Sequence, residues 1–288
     1  MEVLYEENRD LLEPLMRFFG DRGRLPQDTE LEAVTAIRDR FGSIRRAFRV
    51  ILEVTRSERW DTIAEECKQD LVVYLALTKF SGRPKFTRMA TPLQLDIKAL
   101  FKNYTEACDN ADSLLFSVGS RDVLATAMDE ANVGNARPNA LYIHRSEIPD
   151  LPPVLRVYEG CANAYIGDVE GSNVVKLHRH KPAITYMKYA DFERIAHPVL
   201  QSSLRVELNT FDIKMRNFSD WDDPPILHEK DLLVGESNPL KRRFSRLTSQ
   251  ERHLGLLDNR EVIGTKKRWE ALLQSRGCQV KGHRLVRM

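Results

Sequence analysis

The spacing of apolar residues changes near residue 140, and this change constrains the fold more than any other feature of the chain. Before residue 135 the apolar residues recur at helical intervals, so that Leu12, Leu15 and Phe19 fall on one face of a helix. From residue 140 onwards, short apolar runs and alternating polar and apolar residues are typical of β-strands. We therefore expect an α+β fold, in which a helical N-terminal part packs on a β-rich C-terminal part with terminal helices.

The first part contains several clear helical patterns. Residues 43–51 are amphipathic, and Ser43 stands where a helix N-cap is expected. Residues 70–77 are apolar on nearly all sides, which predicts a buried central helix. Residues 93–104 and 109–118 are expected to complete a helical layer.

The second part is predicted to contain strands followed by two helices. The predicted strands are residues 140–144, 154–158, 174–178 and 184–187, with one long strand over 203–218. Thr248 and Glu251 have the spacing of a capping box, which predicts a helix over 249–256. Thr265 is the expected cap of a second helix, over 266–276.

Length and composition fit two folded domains. The chain has 288 residues, of which 42% are hydrophobic, so it can form a core, and we expect domains at residues 1–138 and 139–288. No segment approaches the roughly 20 apolar residues of a membrane span. The acidic start does not resemble a secretory signal, and the four cysteines are far apart, which favours a reducing cytoplasm.

The common cofactor motifs are absent from the sequence. There is no G-x-G among the 14 glycines, so we expect no S-adenosylmethionine or dinucleotide loop. There is also no P-loop and no G-x-S-x-G or H-E-x-x-H motif. These absences disfavour the common enzyme classes and leave the cofactor, if there is one, unassigned.

Positive charge is concentrated at the C-terminal end. Residues 241–288 contain 13 basic and 4 acidic residues, a net charge of +9, against +2 for the whole chain. Such a tract predicts an anionic partner, and DNA is our leading interpretation. The alternative is a solvated, arginine-rich helical surface. The residues expected to contact phosphates are Lys176, Arg179, Lys181, Lys241, Arg242, Arg243, Lys266, Lys267 and Arg268.

Residues 176–181 form a dense polar segment on a predicted strand. His178 and His180 would project from the same face of that strand, together with Lys176. Two imidazoles at this spacing can bind a divalent metal if a third ligand, such as His197, His228 or Glu229, comes from elsewhere. The alternative is a cationic surface strand without a metal.

Two further segments are candidates for catalysis. Two prolines precede His228, Glu229, Lys230 and Asp231, a group that could act in acid–base chemistry or contact phosphate. Cys161 follows a glycine and could be a nucleophile if its pKa were lowered. The alternatives are an ordinary charged loop and an inert, buried thiol.

Several spaced segments together resemble a known bacterial family. They lie at residues 41–43, 70–77, 83–86, 140–144, 155–162, 176–179, 225–228 and 282–286. In these segments the chain is similar to the C-terminal region of the DNA phosphorothioation-associated putative methyltransferases, from about Gly20 to the end. The resemblance implies a bacterial, cytoplasmic protein encoded beside DNA sulfur-modification or defence genes. The methyltransferase domain of longer relatives precedes this region, and position 229 departs from the family's His-Arg-Lys-Glu.

Three functions therefore remain open at the level of the sequence. The first is a DNA-associated accessory protein of a phosphorothioation, defence or restriction-modification system, which binds phosphates through the basic C-terminal half. The second is a metal-dependent nuclease or phosphodiesterase that uses His178, His180 and His228. The third is an interaction module that docks on a separate methyltransferase or on other proteins of the system.

Overall fold

The computed structural model describes the backbone of residues 1–288 and every side chain except that of residue 260. The chain forms two compact units, residues 1–116 and 117–288, and each is described by itself. The first is helical and the second contains the main sheet, so the predicted α+β class is confirmed. The boundary lies earlier than the predicted 138/139, because residues 121–130 pack with the second unit.

The N-terminal unit consists of helices. They are α1 (Glu2–Glu7), α2 (Arg9–Arg22), α3 (Val34–Phe41), α4 (Ile44–Val54), α5 (Ser57–Leu77), α6 (Thr91–Leu100) and α7 (Tyr104–Ser117), with short 3-10 turns at Thr78–Ser81 and Phe86–Arg88. The Ser43 hydroxyl accepts a hydrogen bond from the Arg46 backbone N–H, which confirms the predicted cap of α4. The apolar faces of α2 and α4 meet at Phe19 and Phe48, whose rings stack 4.5 Å apart.

The C-terminal unit contains the remaining elements. They are α8 (Arg121–Glu130), β1 (Asn135–Arg137), β2 (Ala140–His144), α9 (Pro153–Ile166), β3 (Val174–His178), β4 (Ala183–Tyr189), β5 (Leu200–Glu207), β6 (Ile213–Asn217), α10 (Lys241–His253), α11 (Arg260–Ile263), α12 (Lys266–Ser275), β7 (Cys278–Val280) and β8 (Leu285–Arg287). Short 3-10 turns lie at Arg145–Asp150 and Lys230–Leu233.

Six strands form one antiparallel sheet in the order β1 to β6, and β7 pairs with β8 in a separate hairpin. The predicted strands at 140–144 and 174–178 coincide with β2 and β3. The single strand predicted over 203–218 is wrong, because the chain turns between β5 and β6, where Phe211 has a φ of 58°. Both strands keep the alternating pattern, so the pattern alone does not reveal the turn.

The strand predicted at residues 154–158 is also wrong, since this segment lies in α9. Pro153 stands at the first turn of the helix, where a missing N–H costs nothing. Tyr158 is 1% exposed, and its hydroxyl bonds the backbone of Ala183 on β4. Contacts with a distant strand therefore stabilise α9 in spite of its strand-like alternation.

The predicted capping box at Thr248 does not start a helix. Helix α10 begins at Lys241, so Thr248 and Glu251 lie inside it and are 2% and 1% exposed. The Thr248 hydroxyl donates instead to the carboxylate of Asp231, at 2.6 Å. The helix predicted from residue 266 is present as α12, and Asp223 accepts its Lys267 backbone N–H.

The two faces of the main sheet differ. One face is apolar and packs on α9 through residues such as Ile184 and Tyr186, both buried. On the other face, one end is covered by the core that includes Val174, Met187 and Phe244. Among the helices formed by described residues, none is long and apolar enough to span a bilayer.

Candidate nucleic-acid interface and buried histidine cluster

Cationic side chains align on the uncovered end of the sheet. Cross-strand pairing places Lys176 opposite Thr185, Thr185 opposite Arg205, and Arg205 opposite Lys214. Arg216 lies on the same face of β6, two residues beyond Lys214. We call Lys176, Arg205, Lys214 and Arg216 the basic sheet face.

The basic sheet face surrounds a concavity of about 300 Å³. Lys214 and Arg216 are exposed, Lys176 and Arg205 are half-buried, and the hydroxyls of Thr185 and Ser203 lie between them. Four cations and two hydroxyls are the kind of groups that bind phosphate oxygens.

Arg205 and Lys214 carry like charges at directly paired positions, which destabilises a sheet. Glu207 relieves part of this repulsion, because its carboxylate lies 2.7 Å from the Arg205 guanidinium. Lys176 lies 5.0 Å from the centre of the Tyr142 ring, a cation–π contact. A bound anion would remove the remaining repulsion, so the arrangement favours an anionic ligand.

His178 lies on the floor of this concavity and stays neutral. Its Nε2 is 2.9 Å from the Thr185 hydroxyl. Burial, followed by the positive charge of Lys176, lowers the pKa of His178 to about 4. At neutral pH His178 therefore contributes a hydrogen-bonding ring and no charge.

The predicted metal set is not brought together. His178 lies on β3, the exposed His180 contacts the Pro138 carbonyl at 3.1 Å, and His228 lies against Ile263. Within the described side chains, no three His, Cys, Asp or Glu residues are grouped so that they could hold a metal ion. The expectation of a shared site for His178, His180 and His228 is therefore corrected, because His180 lies beyond the end of β3 against Pro138 and His228 lies against Ile263.

The segment from residue 228 to residue 231 lies inside the protein and contacts neighbouring residues. Glu229 has a left-handed backbone, with a φ of 51°, and its carboxylate pairs with Arg137 at 2.9 Å and Arg252 at 2.8 Å. Asp231 accepts the Thr248 hydroxyl. These contacts connect the segment to β1 and to α10, so both carboxylates already have partners within the protein.

Lys230 binds the loop that precedes β5. Its Nζ donates to the carbonyls of Phe192 and Ile195, both at 2.6 Å, and lies 3.0 Å from His283 Nε2. The ammonium also lies 4.0 Å from the centre of the Phe244 ring. Burial lowers the pKa of Lys230 to about 7.

A histidine cluster, defined as His197, His228, Glu251 and Trp269, lies beside this segment. Each of the two imidazoles is 4.7 Å from the Trp269 ring, and their centres are 4.9 Å apart. Glu251 Oε1 is 2.6 Å from His197 Nε2. His228 Nε2 faces the Ile263 carbonyl at 2.8 Å, while its buried Nδ1 has no hydrogen-bond partner among the described atoms.

Burial decides the charges in the histidine cluster. It raises the pKa of Glu251 to about 8, lowers that of His228 to about 4 and lowers that of His197 to about 3. At neutral pH burial therefore favours a protonated carboxyl and two neutral imidazoles. The sequence predicted His197 only as a possible metal ligand, His228 as a possible metal ligand or acid–base group, and Glu251 only as part of a capping box, because no motif joins residues this far apart in the chain.

Cys161 does not have the environment of a nucleophile. It lies within α9, and burial, followed by the negative charge of Glu159, raises the pKa of its thiol to about 11. An activated thiol needs a lowered pKa. The proposed catalytic role of Cys161 is therefore corrected to that of a half-buried thiol in a helix.

Several of the predicted phosphate-binding cations form contacts within the protein. Arg179 forms a double hydrogen bond with Asp129, and Lys241 donates to the carbonyls of Asp231 and Val234. Arg243 donates to the Glu193 carbonyl, and Lys267 pairs with Asp222. These four cations therefore already have partners within the protein, and their contacts stabilise the fold.

Others of the predicted set remain available at the surface. Lys181, Arg242, Lys266 and Arg268 are exposed, and they lie on different elements. Lys176 alone belongs to the basic sheet face. The other three members were missed because β5 and β6 were taken as one strand, which hides the pairing of Arg205 with Lys214.

The chain matches no protein-family model, no curated protein and no solved structure at a significant level. The resemblance to the phosphorothioation-associated family therefore stays a prediction.

Proposed function

We propose that the protein binds nucleic acid, and DNA in particular, through the basic sheet face. The observation that carries this proposal is the alignment of Lys176, Arg205, Lys214 and Arg216 around one concavity on the uncovered end of the sheet. Phosphates are the repeating anions that such a row of cations neutralises, and they supply most of the affinity in sequence-independent binding.

The biological setting that we propose is a bacterial DNA phosphorothioation or defence system in the cytoplasm. The resemblance noted in the sequence supports this setting, and the basic sheet face supports the kind of ligand. In this proposal other proteins of the system supply the chemistry on DNA.

Binding is tested by fluorescence anisotropy with a labelled 20-base-pair duplex at several salt concentrations. We expect the double variant Lys214→Glu/Arg216→Glu to bind at least about tenfold more weakly than the unmodified protein. Each neutralised phosphate contributes about 0.9 to the slope of log K against log salt, so the variant should lose roughly 1.8 from that slope. Both residues are exposed on an edge strand, so the substitutions leave the core intact.

A matched control changes the same charge on α10. Arg242→Glu/Arg246→Glu replaces two exposed arginines of that helix and tests the tail surface predicted from composition. We expect its affinity for DNA to stay within about threefold of that of the unmodified protein. Equal losses in the two double variants, or binding that does not respond to salt, would remove the basic sheet face as the interface.

A further inference from the structure

A second concavity, of about 740 Å³, is lined in part by His197 and Trp269 of the histidine cluster and shares no lining residue with the concavity at the basic sheet face. Its volume is in the range of sites that enclose small molecules, roughly 300 to 1,000 Å³. The floor is apolar and includes Val199, Ile226, Leu273 and Val280. Trp269 adds an aromatic wall.

The polar side chains that line this cavity are those of Arg194, His197, Lys266, Glu270, Gln274 and Gln279. His197 lies in the cavity wall with its Nε2 2.6 Å from Glu251 Oε1, and its buried ring is neutral. Two cations, Arg194 and Lys266, line the same cavity against one carboxylate, Glu270. The polar lining therefore carries an excess of positive charge over an apolar floor.

We infer that this cavity binds a small apolar carboxylic acid, with its hydrocarbon body on the floor formed by Val199, Leu273 and Val280 and its carboxylate near Lys266 and His197. Burial of the hydrocarbon supplies the affinity, at about 0.8 kcal/mol for each buried CH₂ group. The two cations, Arg194 and Lys266, select the negative headgroup. No covalent step is involved.

The probe is decanoate, measured by isothermal titration calorimetry with the full chain, and decylammonium is the match with the opposite charge. We expect saturable binding of one decanoate per protein, and binding of decylammonium at least tenfold weaker. Binding that does not saturate, or equal binding of the two amphiphiles, would overturn the inference.

Variants locate the site. Val280→Phe places a larger side chain from β7 in the apolar part of the cavity, and we expect it to lower the affinity for decanoate at least tenfold. Val286→Phe places the same ring on the paired strand β8, outside the cavity lining, and should leave the affinity within twofold. Equal effects of the two variants would contradict the assignment.

Charge variants keep the test open if Val280→Phe fails to fold. Lys266→Glu should lower the affinity for decanoate about tenfold. Arg268→Glu, on the same exposed turn of α12 but outside the cavity lining, should leave that affinity unchanged. The variant Lys214→Glu/Arg216→Glu should bind decanoate normally, so failure of the two proposals is distinguishable. Unchanged affinity in Lys266→Glu would exclude recognition of the carboxylate there.

Discussion

At the scale of single residues, burial has more influence than neighbouring charges on the pKa values of the histidine cluster. Glu251 is 1% exposed and has two neutral imidazoles and two further carboxylates, Glu229 and Asp231, around it. Removing a carboxyl from water favours its protonated form, and the nearby carboxylates act in the same direction. The protonated carboxyl can then lie 2.6 Å from the neutral His197 ring without placing a negative charge in the core.

This protonation predicts how stability depends on pH. The pKa of Glu251 is raised to about 8 in the folded state, so its contribution is fully present below its unfolded value and is lost as the pH rises through 8. Glu251→Gln cannot ionise, so its stability relative to the unmodified protein should increase by an amount on the order of a few kcal/mol between pH 5 and pH 9. Urea unfolding of both proteins at each pH measures this difference. Parallel stability curves would show that Glu251 does not titrate in this range.

At the scale of elements, some boundaries depend on neighbouring residues and others on distant ones. Helix α4 starts where its local sequence requires, at the Ser43 cap. Helix α9 has an alternating pattern that suits a strand, yet its Tyr158 and Glu159 reach the β4 residues Ala183 and Tyr186. Tertiary contacts therefore override the local pattern in α9.

The cap of α4 gives a prediction at this scale. Ser43→Ala removes the acceptor for the Arg46 N–H and should lower the free energy of unfolding by about 1 kcal/mol. Ser43→Asp keeps an acceptor and should cost less than half of that. The measurement is urea denaturation followed by circular dichroism. A larger loss in the aspartate variant would mean that the side chain does not cap the helix.

At the scale of the whole molecule, each compact unit has its own core. The N-terminal core includes Leu15, Ile51 and Trp60, whereas the proposed DNA and ligand sites lie wholly in the C-terminal unit. Stability of the first unit and binding by the second should therefore be separable. This separation distinguishes a damaged core from a damaged interface in any mutant series.

Ile51→Ala tests that separation. Ile51 is 0% exposed, and its truncation should cost roughly 2 to 5 kcal/mol of the first unit's stability. We expect the affinity for duplex DNA, measured at 10 °C where the variant is still folded, to stay within twofold. A tenfold loss of affinity in a folded Ile51→Ala protein would show that binding depends on the N-terminal core.

The parts of the fold that could be predicted from the sequence depend on residues close to one another along the chain. The α+β class, the cap at Ser43 and strands β2 and β3 follow from apolar period and local hydrogen bonding, which act within a few residues. The charge of the second half also follows from composition alone. Lys176 was found in this way, since a strand projects alternate side chains to one face.

The tertiary structure alone decided which charges share a surface and which are neutralised. Arg205 and Lys214 become neighbours only through the turn between β5 and β6, and Glu251 meets His197 only when α10 packs beside the loop before β5. Arg179 and Lys241 were predicted to contact phosphates. In the structure, Arg179 pairs with Asp129 and Lys241 donates to internal carbonyls. Ion pairing and burial depend on which residues are close in space, and residues far apart in sequence come close only when the chain folds.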